Sequence, residues 1–142
     1  MKRLALLAVI AVFVLVGCGG GGGDSSGSAP VPPTGDVTGT WDVSITATGG
    51  NQVSLGSHWT AIITAVQSGS SVSGTWVTSI SGGGQVSGSV SGDNFDMTLA
   101  ETSPCVGTYQ GIGMVNGNQM SGTYTGSDCF GTLQASFTAT KR

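Results

Sequence analysis

Residues 37–48 read VTGTWDVSITAT, and this stretch decides the fold class. Small or apolar residues, among them Trp41, Val43 and Ile45, occupy every second position, and Thr, Asp or Ser occupy the positions between them. Side chains of a β-strand point alternately to the two faces of a sheet, so this period of two indicates a strand with one buried face. The scarcity of Lys, Glu, Leu and Ala in the chain also argues against helix.

The same alternation recurs along the chain between turn signals rich in Gly, Asn and Ser, such as residues 91–94. It predicts eight strands, at about residues 37–48, 56–67, 70–80, 85–91, 94–101, 105–115, 118–126 and 129–140. Short links after the second strand favour antiparallel neighbours. Eight such strands can close on themselves, so we predict an all-β, eight-stranded antiparallel up-and-down barrel. Residues 59–66 and 106–114 are apolar on both faces, so which of their faces points inward stays open.

Glycine recurs on the inward side of the predicted strands. It stands in Val-Ser-Gly-Thr-Trp at 72–76 and in Met-Ser-Gly-Thr-Tyr at 120–124, at irregular spacing that does not fit a solenoid repeat. We expect such a glycine to let its strand bend sharply or to leave room for an aromatic ring across the barrel.

Length and charge limit what the chain can be. Of its 142 residues, the 106 from Val37 to Arg142 are enough for one domain and too few for two. After residue 17, the chain has seven acidic side chains and two basic ones, Lys141 and Arg142, which gives a net side-chain charge of −5. Two adjacent bases cannot neutralise the phosphates that a nucleic acid presents, and they cannot form a polybasic membrane patch, so neither partner is expected.

The first 18 residues resemble the leader of a bacterial lipoprotein. Lys2 and Arg3 precede an unbroken apolar run at 4–16, which is too short to span a bilayer and suits a secretory signal peptide. The sequence Leu15-Val16-Gly17-Cys18 follows and resembles the lipobox, in which the cysteine is acylated and becomes the new N-terminus. The alternative is an ordinary signal peptide followed by a chance cysteine.

This resemblance divides the chain into a signal peptide at 1–17, a lipidated Cys18 with a flexible tether at 18–36, and the barrel domain at 37–142. It implies an exported protein of the cell envelope that is anchored to the cell membrane by acyl chains such as palmitate. The tether is rich in Gly, Ser and Pro, and 17 residues of flexible chain span roughly 20–25 Å. By the same resemblance, Gly19 after the cysteine favours the outer membrane if the organism has one.

The barrel sequence resembles the calycins, which include the lipocalins and avidins. The resemblance rests on Gly39-Thr40-Trp41 in the first strand and on a basic residue that ends the last. It implies that Trp41 plugs one end of the barrel and that Lys141 or Arg142 packs across it, a cation–π contact of about 0.5–2 kcal/mol. Two departures are that no C-terminal helix follows, unlike in lipocalins, and that Asp42 and Val43 stand where biotin-binding avidins carry polar ligand contacts. Biotin binding is therefore not expected.

The two remaining cysteines, Cys105 and Cys129, form an even pair in a protein predicted to be exported, where thiols oxidise. They begin strands six and eight and so lie at the same end of the barrel. Alternate strands lie about 9.6 Å apart and a disulfide needs Cα atoms within about 7 Å, so we predict a bridge across the rim. A metal site is not expected, because the chain has a single histidine.

The aromatic residues offer the best candidate for a functional site. Trp59, Trp76, Tyr109 and Tyr124 either line a pocket for a small apolar or sugar ligand or simply fill the barrel, and the sequence leaves both alternatives open. His58 is expected at the solvent-facing rim rather than in a catalytic site.

Asp93 and Asp96 flank a hairpin, where a turn aspartate ordinarily bonds its own backbone; the alternatives are Ca²⁺ binding and acid–base chemistry by the two carboxylates. No cluster of titratable residues suggests an enzyme, and no cofactor is implied. We therefore expect a non-enzymatic module that binds a small apolar ligand or an envelope protein. The alternatives are a structural or interaction barrel with a filled core, and a barrel like those of some protease inhibitors.

Overall fold

The computed structural model describes residues 35–142, which form a closed barrel of eight antiparallel strands with neighbours in sequence order. The strands are β1 (Gly39–Gly50), β2 (His58–Ser68), β3 (Ser71–Thr78), β4 (Gly83–Ser91), β5 (Asn94–Ser103), β6 (Gly107–Asn116), β7 (Gln119–Asp128) and β8 (Gly131–Lys141). β8 pairs with β1 and closes the sheet. The up-and-down antiparallel barrel predicted from the alternation is confirmed, and it is consistent with the calycin-like fold that the resemblance implied. The signal peptide, the lipobox and nearly all of the tether lie outside the described residues.

Pairing on both sides of each strand settles the two ambiguous stretches. In β2, Trp59 lies opposite Ile45 of β1 and points inward together with Ala61, whereas Ile62 and Val66 face solvent. In β6, Tyr109 points inward and Ile112 is exposed. In both strands the aromatic ring takes the inward face, where its large apolar surface leaves water, and the aliphatic side chains of the opposite parity, such as Ile62 and Ile112, stay outside.

One end of the barrel, which we call the closed end, is sealed by Val37 and Trp41. Both are almost fully buried, and the Trp41 indole donates a 2.9 Å hydrogen bond from Nε1 to the carbonyl of Val37. Lys141 Nζ lies 5.6 Å from the centroid of the Trp41 ring. Of the two bases considered, Lys141 therefore packs on the tryptophan, while Arg142 pairs with Asp42 at 2.6 Å.

The chain also enters the barrel at the closed end. Gly35 donates a 3.0 Å backbone hydrogen bond to Gly92 in the turn between β4 and β5. Asp36 accepts an ion pair from Lys141 at 3.0 Å. These contacts begin two residues before the predicted start of the domain at Val37, so the last two residues of the predicted tether lie against the barrel.

Gly88 and Gly122 make room for aromatic rings, but each ring comes from a neighbouring strand rather than from across the barrel. At Gly74 the atoms nearest to a built Cβ belong to the backbone of β2. A Cβ on Gly122 would lie 2.8 Å from Phe137 Cε1, and Gly122 and Phe137 are direct partners in the β7–β8 register. A Cβ on Gly88 would lie 2.9 Å from Phe95 Cε2 on the adjacent strand. At Gly88 and Gly122 an aromatic ring from the next strand lies over the backbone of the glycine, which keeps the interior closely packed there.

A disulfide joins Cys105 to Cys129 with a Cα–Cα distance of 6.0 Å, which confirms the predicted pair. The cysteines lie in the β5–β6 and β7–β8 links, just before the strands that they were expected to begin. The links lean together over the end of β7, so the bridge spans alternate strands. We call this opposite end of the barrel the open end; it carries the links at 51–57, 79–82, 104–106 and 129–130.

We expect the double substitution Cys105→Ser/Cys129→Ser to lower the free energy of unfolding by about 3.5 kcal/mol, because the bridge closes a loop with a sequence separation of 24. Urea titration of the oxidised chain and of the double variant measures this difference. Dithiothreitol should destabilise the parent by a similar amount and leave the double variant unchanged. A parent whose urea midpoint is insensitive to reductant would contradict the assignment.

Candidate functional site

A cavity of about 260 Å³ lies inside the open end of the barrel. Most of its wall is apolar and comes from inward positions of every strand except β4. Link residues at the open end complete the lining: Gln52, Val53, Ile80, Gly82, Pro104 and Phe130. All four aromatic residues singled out in the sequence, Trp59, Trp76, Tyr109 and Tyr124, line this one cavity. Binding of a ligand by them remains a prediction.

The cavity exists because the two ends of the barrel are packed differently. Trp41, Phe95 and Val37 fill the closed end. The wall at the open end includes small residues, Ala61 and Gly82, at points where larger side chains would project into the space. The interior is therefore filled around Trp41 and hollow beside Trp59 and Trp76.

Four polar side chains form a cluster at one side of the cavity: Gln52, Glu101, Tyr109 and Asp128. The Tyr109 hydroxyl lies 3.0 Å from Asp128 Oδ2 and 3.2 Å from Glu101 Oε2. Gln52 reaches in from the β1–β2 link and donates from Nε2 to Asp128 Oδ2 at 2.6 Å. Together these contacts tie the link over the mouth to the ends of β5, β6 and β7.

The supply of hydrogen-bond donors in this cluster is uneven. Asp128 accepts from Gln52 through Oδ2, and through Oδ1 from the backbone amides of Phe130 at 2.7 Å and Gly131 at 3.2 Å. Glu101 is only 6% exposed, and its one hydrogen-bond donor here is the Tyr109 hydroxyl. That hydroxyl has a single proton, which Asp128 also competes for. Glu101 is thus a buried carboxyl with at most one donor.

The electrostatics of the cluster follow from burial and from the second carboxylate. Burial raises the pKa of Glu101 above its usual range, and the nearby Asp128 raises it further, while the hydrogen bond from Tyr109 works in the opposite direction. Burial likewise raises the pKa values of the Tyr109 and Tyr124 hydroxyls well above normal. The two bases in residues 35–142, Lys141 and Arg142, form their ion pairs at the closed end.

Sequence reasoning missed Glu101 and Asp128, although both continue the alternation. Glu101 follows Phe95, Met97 and Leu99 on the inward side of β5. Asp128 follows Tyr124 and Gly126 on the inward side of β7. Extending each apolar pattern to the last residue of its strand would have found them as charged groups on an inward face. Gln52 lies in a link without periodicity and leaves no such signal.

An apolar rim surrounds the mouth of the cavity. Each of the four links at the open end presents one exposed large apolar side chain: Leu55, Ile80, Val106 and Phe130. Ile80 and Phe130 also contribute to the wall of the cavity. Isolated exposed apolar residues are ordinary on a protein surface, but here each link at the same end of the barrel contributes one, and two of them continue into the cavity wall.

The other candidates from the sequence lie away from this site. His58 is exposed at the start of β2, and its Nδ1 lies 2.9 Å from Thr46 Oγ1. Asp96 is on the outer face of β5, and Asp93 lies in the turn before it, where its carbonyl accepts from the amide of Val115 at 2.8 Å. Within residues 35–142, no three His, Cys, Asp or Glu side chains are grouped so that they could hold a metal ion.

No protein-family model, no curated protein and no solved structure matches this chain. The site combines an apolar enclosure, aromatic walls and one polar corner, which together resemble a general ligand pocket.

The burial of Glu101 predicts an unusual dependence of stability on pH. The folded barrel holds the Glu101 proton more tightly than the unfolded chain does, since the pKa of Glu101 is raised on folding. The free energy of unfolding should therefore fall as the pH rises above about 4.3, the pKa of a glutamate in the unfolded chain, and should stop falling once the pH exceeds the pKa of Glu101 in the folded barrel. We expect Glu101→Gln to match or exceed the stability of the parent at pH 7.5 and to lose less stability between pH 4 and 7.5.

Urea midpoints measured across this pH range test the expectation. Asp96→Asn, which removes an exposed carboxyl from the same strand, is the matched control and should follow the pH profile of the parent. A Glu101→Gln variant that is less stable than the parent at every pH would show that the carboxylate stabilises the fold, against the argument from burial.

Proposed function

We propose that this barrel is a binding protein, not an enzyme, that takes up a small and mainly apolar molecule through the open end. The observation that carries the proposal is the cavity of about 260 Å³, which is enclosed by aromatic and aliphatic side chains and has a single polar corner. An apolar wall favours an apolar ligand, and a few fixed polar groups orient it.

The size of the cavity limits the ligand. An engineered apolar cavity of about 150 Å³ accepts benzene, and pockets for drug-sized ligands begin at about 300 Å³. The cavity described here lies between the two. We therefore expect a molecule with one or two rings or a short hydrocarbon chain, and not a long fatty acid or a polysaccharide.

We also propose that acylation of Cys18 anchors the protein to the cell envelope. The support is the order of the leader, with basic residues, an apolar run and then Leu15-Val16-Gly17-Cys18. Residues 35–142 contain no helix suited to crossing a bilayer. Because Gly35 joins the barrel at the closed end, a tether from Cys18 would leave the mouth of the cavity on the side away from the anchor, where a soluble ligand can reach it.

The apolar rim supports a second candidate function, which is contact with an apolar side chain of another envelope protein, in the manner of an inhibitor barrel. Leu55, Ile80, Val106 and Phe130 would make that contact. The two candidates separate cleanly, because filling the cavity should abolish uptake of a small ligand and leave contact through the rim intact.

Filling the cavity tests the proposed function. We expect 2-phenylethanol and related single-ring compounds to raise the melting temperature of the chain from residue 19 onward, since a ligand at 100 times its dissociation constant stabilises by about 2.7 kcal/mol. Ala61→Phe, which projects into the cavity, should abolish this shift. Thr60→Phe adds similar bulk to the outer face of the same strand and should retain it. If no compound of this size shifts the melting temperature, the proposal is wrong.

Labelling with palmitate tests the anchor. The full chain produced in a bacterial host should incorporate the label and partition with the membrane fraction, and Cys18→Ala should do neither. The thiols of Cys105 and Cys129 are joined in a disulfide and provide an internal control, because a variant that lacks both should label normally. Label that persists in Cys18→Ala would contradict the lipobox assignment.

A further inference from the structure

We propose that the ligand of the cavity is an organic cation, a protonated amine whose apolar part lies against the aromatic walls and whose ammonium group binds the carboxylate of Glu101. This inference rests on the proposed function and specifies the chemistry of its ligand. Its basis is the place of Glu101, which is 6% exposed, lines the cavity and is short of hydrogen-bond donors.

The first argument is the shortage of donors around Glu101. Asp128 takes backbone amides on Oδ1 and Gln52 on Oδ2, so its charge is well solvated by the protein. Glu101 has only the Tyr109 hydroxyl, whose one proton is shared with Asp128. A buried carboxylate without enough donors is costly, and a ligand that brings N–H donors and positive charge removes that cost.

The second argument is the absence of a competing cation in the described part of the chain. Lys141 is 3.0 Å from Asp36, and Arg142 is 2.6 Å from Asp42, both at the closed end. The polar corner therefore presents two carboxyl groups, Glu101 and Asp128, without an internal base. An anionic ligand would be repelled there, and a neutral apolar ligand would leave Glu101 as poorly solvated as before.

The third argument is access. A Cβ built on Gly82 would lie 2.8 Å from Glu101 Oε1 and 3.6 Å from the ring of Trp76. Because Gly82 carries no side chain, the carboxylate is left uncovered on the side that faces Trp76. An ammonium group that approaches the carboxylate from the cavity on this side would also lie near the indole, whose face attracts cations.

Three probes of matched shape test the inference: 2-phenylethylamine, 2-phenylethanol and phenylacetate. Isothermal titration at pH 7.5 with the chain from residue 19 onward, which keeps every strand and the disulfide, should show the amine binding at least tenfold more tightly than the alcohol and the acid binding most weakly. In Glu101→Gln the advantage of the amine over the alcohol should fall to about threefold or less. Asp96→Asn, the control for a lost surface charge, should keep the advantage.

Gly82→Ala provides a second variant, because its methyl group should reach the carboxylate of Glu101 and weaken the amine more than the alcohol. Equal binding of amine and alcohol, or a preference for the amine that survives in Glu101→Gln, would overturn the inference and leave the proposed function standing. Tightest binding by phenylacetate would also overturn it. If none of the three probes binds and none shifts the melting temperature, both the inference and the proposed function are wrong.

Discussion

Closure of the sheet between β1 and β8 is the constraint on which the rest of this structure depends. Each strand is paired on both sides, so no strand can slip by one residue without turning its whole inward set to solvent. Only every second residue of a strand therefore points into the interior, and the size and polarity of these residues decide how the barrel is filled at each height along its axis. Trp41 and Lys141 are direct partners across the closing pair, so the contact that seals one end is made by the same register that closes the barrel.

The two ends use the interior for opposite purposes. At the closed end, Val37, Trp41 and Phe95 occupy the space as a packed core would, and that packing stabilises the fold. At the open end, Ala61 and Gly82 are too small to fill the space inside the barrel. Glu101 and Asp128 place carboxyl groups where a core would have aliphatic side chains. An apolar residue at position 101 would stabilise the barrel more simply. A buried carboxyl group that has few hydrogen-bond donors is unfavourable for folding, and such groups are found most often at functional sites.

The sequence predicted the parts of the structure that are local or periodic. The alternation predicted all eight strands to within two residues at every end, because burial on a single face leaves a period of two that other structures do not produce. The pairing of Cys105 with Cys129 was expected because they are the even pair that remains beside Cys18 in a protein predicted to be exported, and strand order placed both at one end of the barrel. The cavity was beyond reach, because empty volume depends on many side chains at once, and the same aromatics fill or line a barrel equally well. Glu101 and Asp128 were missed because each lies at the end of its strand, where the apolar pattern stops, and Gln52 because a link has no period.

The position of the disulfide follows from the position of the cavity. A barrel end without a packed core loses the contacts that would hold its links in place, and here the wall includes Pro104 and Phe130, each adjacent to a cysteine. The bridge between Cys105 and Cys129 holds these two links together by covalent means where packing is missing. Gln52 does the same for the β1–β2 link through its hydrogen bond to Asp128. The open end can therefore remain hollow and keep its shape. A site that is already ordered binds its ligand more tightly, because no binding free energy is lost in ordering the site.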